Sequence, residues 1–320
     1  MIRLVFGVLA GLSLVAGTAL AQEMRFPKEY FGRSDLPLPE SKIHLEKLMS
    51  ENDNFEDIAR FSEGNRYRQI ANPVGRLDLL IDLGGQQVTS TCTAWVISPS
   101  FIMTNYHCVP GLKGEILAAQ LVMNYLTTGQ PQAEIDFYEV GITPVEADSD
   151  LDYAVVEVGG DPTERYGTVN LNARDPAEGE ELFIIHHPAG KPKKITRRNC
   201  RNARIAEDGD FHHYCDTLGG SSGSPIFSDN DLSLVGLHYA GLDRQYNMAK
   251  RLEQIVTQSD LLQDIVGLQG RGAAAAAAAA AADTPAPPRD EPPAVAKPAR
   301  SDDGAITGEA EESGWGAITD

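Results

Sequence analysis

Between residues 73 and 268 the chain never runs far without a residue that ends a β-strand, and this spacing constrains its fold more than any other feature. Segments 77–83, 91–97, 101–104, 153–158, 181–185 and 233–237 are rich in Val, Ile, Leu, Thr and aromatic side chains. Each is flanked by Gly, Pro, Asp or Asn, and Ser98-Pro99-Ser100 separates the second from the third. Repeated short strands with turn signals predict an all-β fold, a barrel or a sandwich. Residues 255–268 predict a closing helix. The 320 residues, 42% hydrophobic and 23% charged, are rich enough in apolar side chains for a real core, which excludes disorder throughout. The single long apolar run excludes a polytopic membrane protein. With 27 basic and 46 acidic residues the formal net charge is −19. Phosphates would be repelled at long range, which argues against nucleic acid or anionic lipid as a general partner.

The ends differ in kind from the middle. Arg3, an apolar stretch and Ala19-Leu20-Ala21 read as a signal peptide over residues 1–21, cleaved after Ala21. The expected location is therefore secreted or periplasmic, with no membrane association after cleavage. That compartment is oxidising, so four cysteines are compatible with two disulfides. Residues 22–72 are polar and broken by Pro27, Pro37 and Pro39. They carry two short helical patterns, Ile43-Leu45-Leu48-Met49 and Phe55-Ile58-Ala59, with Ser41 and Asp53 as caps. This segment is a pro-region or a wrap over the main domain. Residues 269–320 form an Ala/Pro-rich linker and an acidic tail, expected to be disordered beyond a short alanine helix. Trp315 and the repeated Gly-Ala-Ile-Thr phrase suggest a docking peptide for a partner; a solvated tail is the simpler reading.

Three places carry chemistry. Thr104-Asn105-Tyr106-His107-Cys108 follows a strand, with Cys92 sixteen positions earlier. At 150–156 an acid opens a buried strand. Residues 217–227 form a glycine-rich turn running into another strand. A serine hydroxyl needs a base to take its proton as it attacks, and histidine suits that role near neutrality. The imidazole needs a buried carboxylate to fix its tautomer. The developing oxyanion needs backbone N–H groups, which glycine lets approach closely. His107, Asp152, Ser222 and the Gly219-Gly220 turn supply one residue for each requirement.

These motifs resemble those of the chymotrypsin-like (trypsin-like) serine peptidases, in the bacterial branch that includes the glutamyl endopeptidases. The resemblance covers residues 73–268. His107 matches the histidine of the [ST]-[AN]-x-H-C motif, Asp152 the acid of D-x-A-hydrophobic, and Ser222 the serine of G-[NDS]-S-G-[GS]-P. The order His, Asp, Ser is also that family's. The resemblance implies two six-stranded antiparallel β-barrels with the site between them, a Cys92–Cys108 disulfide, and an oxyanion hole from the N–H groups of Gly220 and Ser222. Cys200 and Cys215, fifteen apart, are then the second bridge; zinc is disfavoured because no C-x-x-C exists. No metal or other cofactor is expected. His186-His187 and His212-His213 lack i, i+4 spacing and are read as structural or surface residues.

Two departures matter. Pro73-Val74-Gly75-Arg76 stands where an Ile-Val-Gly-Gly activation sequence would lie. Ser221, not Asp, precedes the nucleophile. A trypsin-type activation switch is therefore not expected: the fold is competent as made, or residues 22–72 are removed. Gly219 to Gly223 also spells G-x-S-x-G, the elbow of α/β-hydrolases with Ser221 as nucleophile. That fold needs acid and histidine well downstream, yet Asp229, Asp231 and His238 all fall within 17 residues of Ser221.

Selectivity pulls two ways. In trypsin an Asp at the place of Asp216, six before Ser222, favours Lys or Arg. In glutamyl endopeptidases a Ser or Thr and a His at the places of Thr217 and His238 bind an acidic side chain. The sequence leans slightly to the basic reading. Seven basic residues between 191 and 204, with no acid, make a patch able to steer acidic substrates or meet the acidic tail. The function expected is a secreted serine endopeptidase acting on protein or peptide substrates. The competing class is a catalytically silent, peptidase-like adaptor.

Overall fold

In the computed structural model, residues 24–37, 53–207, 209–242 and 245–282 are described. Expectations for the signal peptide, for residues 38–52 and for the tail beyond 282 lie outside them. The strands are β1 (Met24–Pro27), β2 (Phe55–Asp57), β3 (Val74–Asp82), β4 (Gln87–Ser98), β5 (Phe101–Thr104), β6 (Glu115–Met123), β7 (Asp136–Val140) and β8 (Glu146–Asp148). They continue as β9 (Tyr153–Glu157), β10 (Leu182–His186), β11 (Lys194–Thr196), β12 (Asn202–Ile205), β13 (Phe211–His213), β14 (Pro225–Ser228), β15 (Leu234–Leu242) and β16 (Tyr246–Arg251). Four α-helices accompany them: α1 (Arg66–Ala71), α2 (Thr163–Tyr166), α3 (Leu252–Gln258) and α4 (Asp260–Ala282).

The strands form two antiparallel eight-stranded sheets. The first runs β7-β6-β3-β4-β5-β9-β8, with β1 also paired to β4. The second runs β12-β13-β16-β15-β14-β10-β11-β2. The all-β, two-sheet architecture expected from the sequence is present, followed by C-terminal helix. It differs from two six-stranded barrels in two ways: neither pairing order closes on itself, and each sheet has eight strands, one of them from the N-terminal segment, β1 in the first and β2 in the second. Pairing these exposed strands satisfies backbone groups that a bare edge would leave to solvent.

Alternation along the strands builds three apolar clusters. Leu77, Leu79, Ile81, Leu121, Ile102 and Val156 fill the first sheet's own interior, and Leu182, Ile184, Phe211, Ile226 and Val235 that of the second. The third cluster joins them: Trp95, Met103 and Val155 from the first sheet meet Phe183, Ile185 and Phe227 from the second, with Ile255 and Leu262 from the helices. Fully burying a side chain of this size contributes about 1.5–3 kcal/mol, so the seam between the sheets is held as firmly as either interior.

Local readings failed in two places. Phe55-Ile58-Ala59 is not an α-helix: Phe55–Asp57 pair with β11, Thr196 facing Phe55, and only Ile58–Arg60 make a single 3-10 turn. The helix that precedes β3 is instead α1, capped by Asn65, whose Oδ1 accepts from Tyr67 N at 2.9 Å. The closing helix is two helices, broken at Ser259. Ser259 Oγ accepts from Leu262 N at 3.0 Å and so caps α4. Gly75, within the stretch compared with an activation sequence, lies inside β3, where a Cβ would sit 2.5 Å from Met123 Sδ. That stretch is the interior of a strand, not a free N-terminus.

Candidate active site

Strand β5 ends at Thr104, and the chain turns to deliver His107 at the mouth of the seam. His107 is 6% exposed. Asp152 opens β9, the neighbour of β5, so strand pairing alone brings acid and base together. Asp152 Oδ2 meets His107 Nδ1 at 2.8 Å, and Oδ1 accepts from the His107 backbone N–H at 2.9 Å. Asn105 Nδ2 donates to the Asp152 carbonyl at 2.8 Å. These contacts hold Asp152 at a φ of 45°, a left-handed conformation that Asp tolerates better than most residues. The carboxylate on Nδ1 keeps the proton there and leaves Nε2 as the basic nitrogen. Among the described residues Nε2 has no hydrogen-bond partner. Asp150, two residues before Asp152 at the start of the same strand, is exposed.

The serine turn is fastened to β4. Thr93 N donates to Ser222 O at 2.8 Å, and Thr93 Oγ1 donates to Gly220 O at 2.9 Å. Trp95 Nε1 donates to Gly223 O at 3.1 Å. The same strand carries Cys92, whose disulfide to Cys108 holds the residue after His107. One strand thus grips both the His107 turn and the serine turn. The sulfurs beside His107 are joined to each other and are not thiolate ligands. Cys200 and Cys215 form the second bridge.

Glycine is required at two points of this turn. A Cβ on Gly223 (φ 85°) would lie 2.2 Å from Thr93 O, and one on Gly220 (φ 92°) 2.8 Å from His187 O. Gly219 O accepts from Ala189 N at 2.7 Å, so the planar trans peptide aims the Gly220 N–H the opposite way. Ser221 O accepts from Ser224 N at 3.1 Å and likewise turns the Ser222 N–H away from it. Among the described residues neither amide has a protein acceptor. Two unengaged donors two residues apart in one turn are what a developing oxyanion requires.

Ser221 is fully buried, and its Oγ lies 2.9 Å from His186 Nδ1. His186 Nε2 lies 3.2 Å from Thr196 Oγ1, which donates to Asp216 O at 3.2 Å. Burial, then nearby Lys194 and His213, lower the His186 pKa to about 3, so this brace is neutral. Ser221 is thus a strut of the turn, not an exposed elbow nucleophile.

The residues expected to set selectivity have different surroundings. Asp216 is buried, and its Oδ2 accepts from Asn54 N at 3.0 Å and Asn54 Nδ2 at 2.7 Å. Thr217 Oγ1 is buried with no hydrogen-bond partner among the described residues. His238 Nδ1 lies 3.2 Å from His213 Nε2. Burial, then His212, lowers the His213 pKa to about 3, so His213 stays neutral. His212 stacks on Tyr246 at 3.8 Å, and His187 Nδ1 contacts Lys191 O at 2.9 Å. Asn54 and Thr93 had no signal in the sequence, because each acts through partners far along the chain, and His186 and His213 were legible only as structural or surface histidines. The basic run at 191–204 meets β2, with Arg197 Nε 3.0 Å from Glu56 Oε1 and Lys194 paired to Asp57.

Residues 92–237 match the family model of the trypsin-like peptidase domain. The chain is 27% identical over 210 residues to secreted RxLR effector protein 73 of Plasmopara viticola, covering 59% of this chain and 50% of that one. It is 26% identical over 175 residues to a glutamyl endopeptidase of Staphylococcus epidermidis, covering 51% and 58%. The chain therefore spans little more than half the length of these relatives. A solved Glu endopeptidase, in complex with MPD, has the same fold: TM-score 0.50 at 19% identity, over 69% of this chain and 99% of that one.

Proposed function

We propose that this chain, which carries a trypsin-like peptidase domain over residues 92–237, is a secreted serine endopeptidase that cleaves after acidic residues. The observation that carries the reading is the Asp152–His107 pair, clamped at two points, with Nε2 left available. Ser222 Oγ attacks the peptide carbonyl while His107 Nε2 takes its proton. Asp152 stabilises the imidazolium through Nδ1–H. The oxyanion accepts from Gly220 N and Ser222 N. His107 then gives the proton to the departing amine, and the C–N bond breaks. Water, deprotonated by the same nitrogen, attacks the acyl-enzyme and releases Ser222. Retention of all three residues in the sequence disfavours a silent adaptor. Two disulfides and the Ala19-Leu20-Ala21 signal support secretion.

For selectivity, the lean shifts from basic to acidic. Asp216 is engaged by Asn54, whereas Thr217 Oγ1 lacks a partner among the described residues. Neutral His213 can accept the His238 Nδ1 proton on its Nε2.

The test is kcat/KM on peptide pairs that differ only in Glu or Lys before the scissile bond. Glu should be preferred, and Ser222→Ala should lower kcat by about 10⁶ if chemistry limits. Preference for Lys would overturn the selectivity, and retained activity in Ser222→Ala the mechanism.

A further inference from the structure

We propose that Asn54 is a specificity-determining residue: the N-terminal segment inserts it behind the substrate pocket, where it engages Asp216 and denies that carboxylate to basic side chains. The inference rests on the reading of Asp216, Thr217 and His238 as the selectivity residues and deepens it.

Asn54 is not placed by chance contact. The three residues after it form β2, which hydrogen-bonds to β11 in register, Phe55 facing Thr196 and Asp57 facing Lys194. Ion pairs reinforce the ladder: Glu56 with Arg197 at 3.0 Å and with Arg198 at 3.7 Å, and Asp57 with Lys194. The Phe55 ring stands edge-on to His186 at 5.3 Å, and Ile58 is fully buried in the seam. Thr196, opposite Phe55, donates through Oγ1 to Asp216 O, so the strand that receives β2 also holds Asp216. Anchored in this way, Asn54 aims two donors, backbone N and Nδ2, at the single oxygen Oδ2 of Asp216.

The chemistry follows. A buried carboxylate six residues before the nucleophile invites an ammonium or guanidinium. Two N–H donors satisfy the oxygen without adding positive charge, and they draw it toward the N-terminal segment. A substrate cation would have to displace both and bury its own charge. Recognition then falls to Thr217 and His238, which suit a carboxylate. The segment 54–58 is thus a working part of the mature fold rather than a removable pro-region.

The test uses p-aminobenzamidine, a guanidinium mimic whose binding needs no working nucleophile, titrated into full-length protein. Wild type should bind weakly. Asn54→Ala should bind at least tenfold more tightly, and the gain should vanish in Asn54→Ala/Asp216→Asn. Asp216→Asn alone, a near-isosteric change, should leave the weak binding within twofold. In peptide cleavage, Asn54→Ala should lower the Glu:Lys ratio of kcat/KM at least tenfold, whereas a merely structural role would lower both values together. The proposal fails if Asn54→Ala binds as wild type does, if its gain survives loss of the Asp216 carboxylate, or if Asp216→Asn alone weakens binding tenfold. Because the titration is independent of turnover, a wild type that cleaves no peptide would sink the endopeptidase reading and leave this one to be judged by binding.

Discussion

Thr93→Val should damage both stability and turnover, and the size of each effect can be worked from the structure. The hydroxyl is buried between two loops: it donates to Gly220 O at 2.9 Å and accepts from His187 N at 3.1 Å. Valine keeps the shape and removes both bonds. Two buried backbone groups are then orphaned at about 1–3 kcal/mol each, so the loss is about 2–6 kcal/mol. The Thr93 N to Ser222 O bond survives, so the turn is loosened, not released. Losing an oxyanion donor outright costs about 10²–10³ in kcat. A donor loosened on one side should cost less, roughly 10- to 100-fold, with KM little changed. Urea unfolding and steady-state cleavage of a Glu peptide measure the two effects. Thr93→Ser, which keeps the hydroxyl, should retain most of both. If Thr93→Val unfolds within 0.5 kcal/mol of wild type, an order-of-magnitude threshold for an uninvolved site, and keeps full kcat, the β4 tether is irrelevant. If Thr93→Ser is equally damaged, packing of the methyl group and not hydrogen bonding is responsible.

Other consequences are independent of that tether. Glu180, bonded to Arg174, Ser228 and Ala177 N, has its pKa lowered to about 2, with the Arg174 bond the largest cause. Its stabilisation is therefore complete above its ordinary range and lost as pH falls toward 2; Glu180→Gln should flatten the acid limb of a stability–pH curve. Lys193, buried with Nζ donating to Ala71 O at 2.7 Å, has its pKa lowered to about 7 by burial. The unfolded chain binds the extra proton between that value and its ordinary one, so stability should rise with pH across this window, and Lys193→Met should remove the rise. Cys92→Ala/Cys108→Ala opens a loop of separation 16. It should cost on the order of 3 kcal/mol by chain entropy, read as a lower Tm, and lower kcat as well because the bridge holds the His107 turn.

How legible the site was in the sequence follows from how local each part is. His107 with Cys108, Asp152 at a strand start and Ser222 before Gly223 each carry their signature within a few residues, and strand pairing brings His107 and Asp152 together. Asn54 and Asp216 are 162 residues apart, and Thr93 and Gly220 127 apart; no periodicity or spacing announces such pairs. Phe55-Ile58-Ala59 reads as helix because three apolar residues fit its period, but the open edge of β11 offered backbone partners that a short helix cannot match. Residues 255–268 read as one helix because apolar positions continue through Ser259, whose capping hydroxyl divides them. Strand count was the least legible part. Two of the strands, β1 and β2, come from a polar segment whose composition resembles a pro-region, and their partners β4 and β11 lie far along the chain.

The central claim is that Ser222 is a nucleophile activated by His107. Treatment of the purified protein with a fluorophosphonate, followed by mass-spectrometric mapping of the modified peptide, tests it most directly. The account expects one adduct, on Ser222, that disappears in His107→Ala. An adduct on Ser221, or no adduct on folded protein, would contradict it.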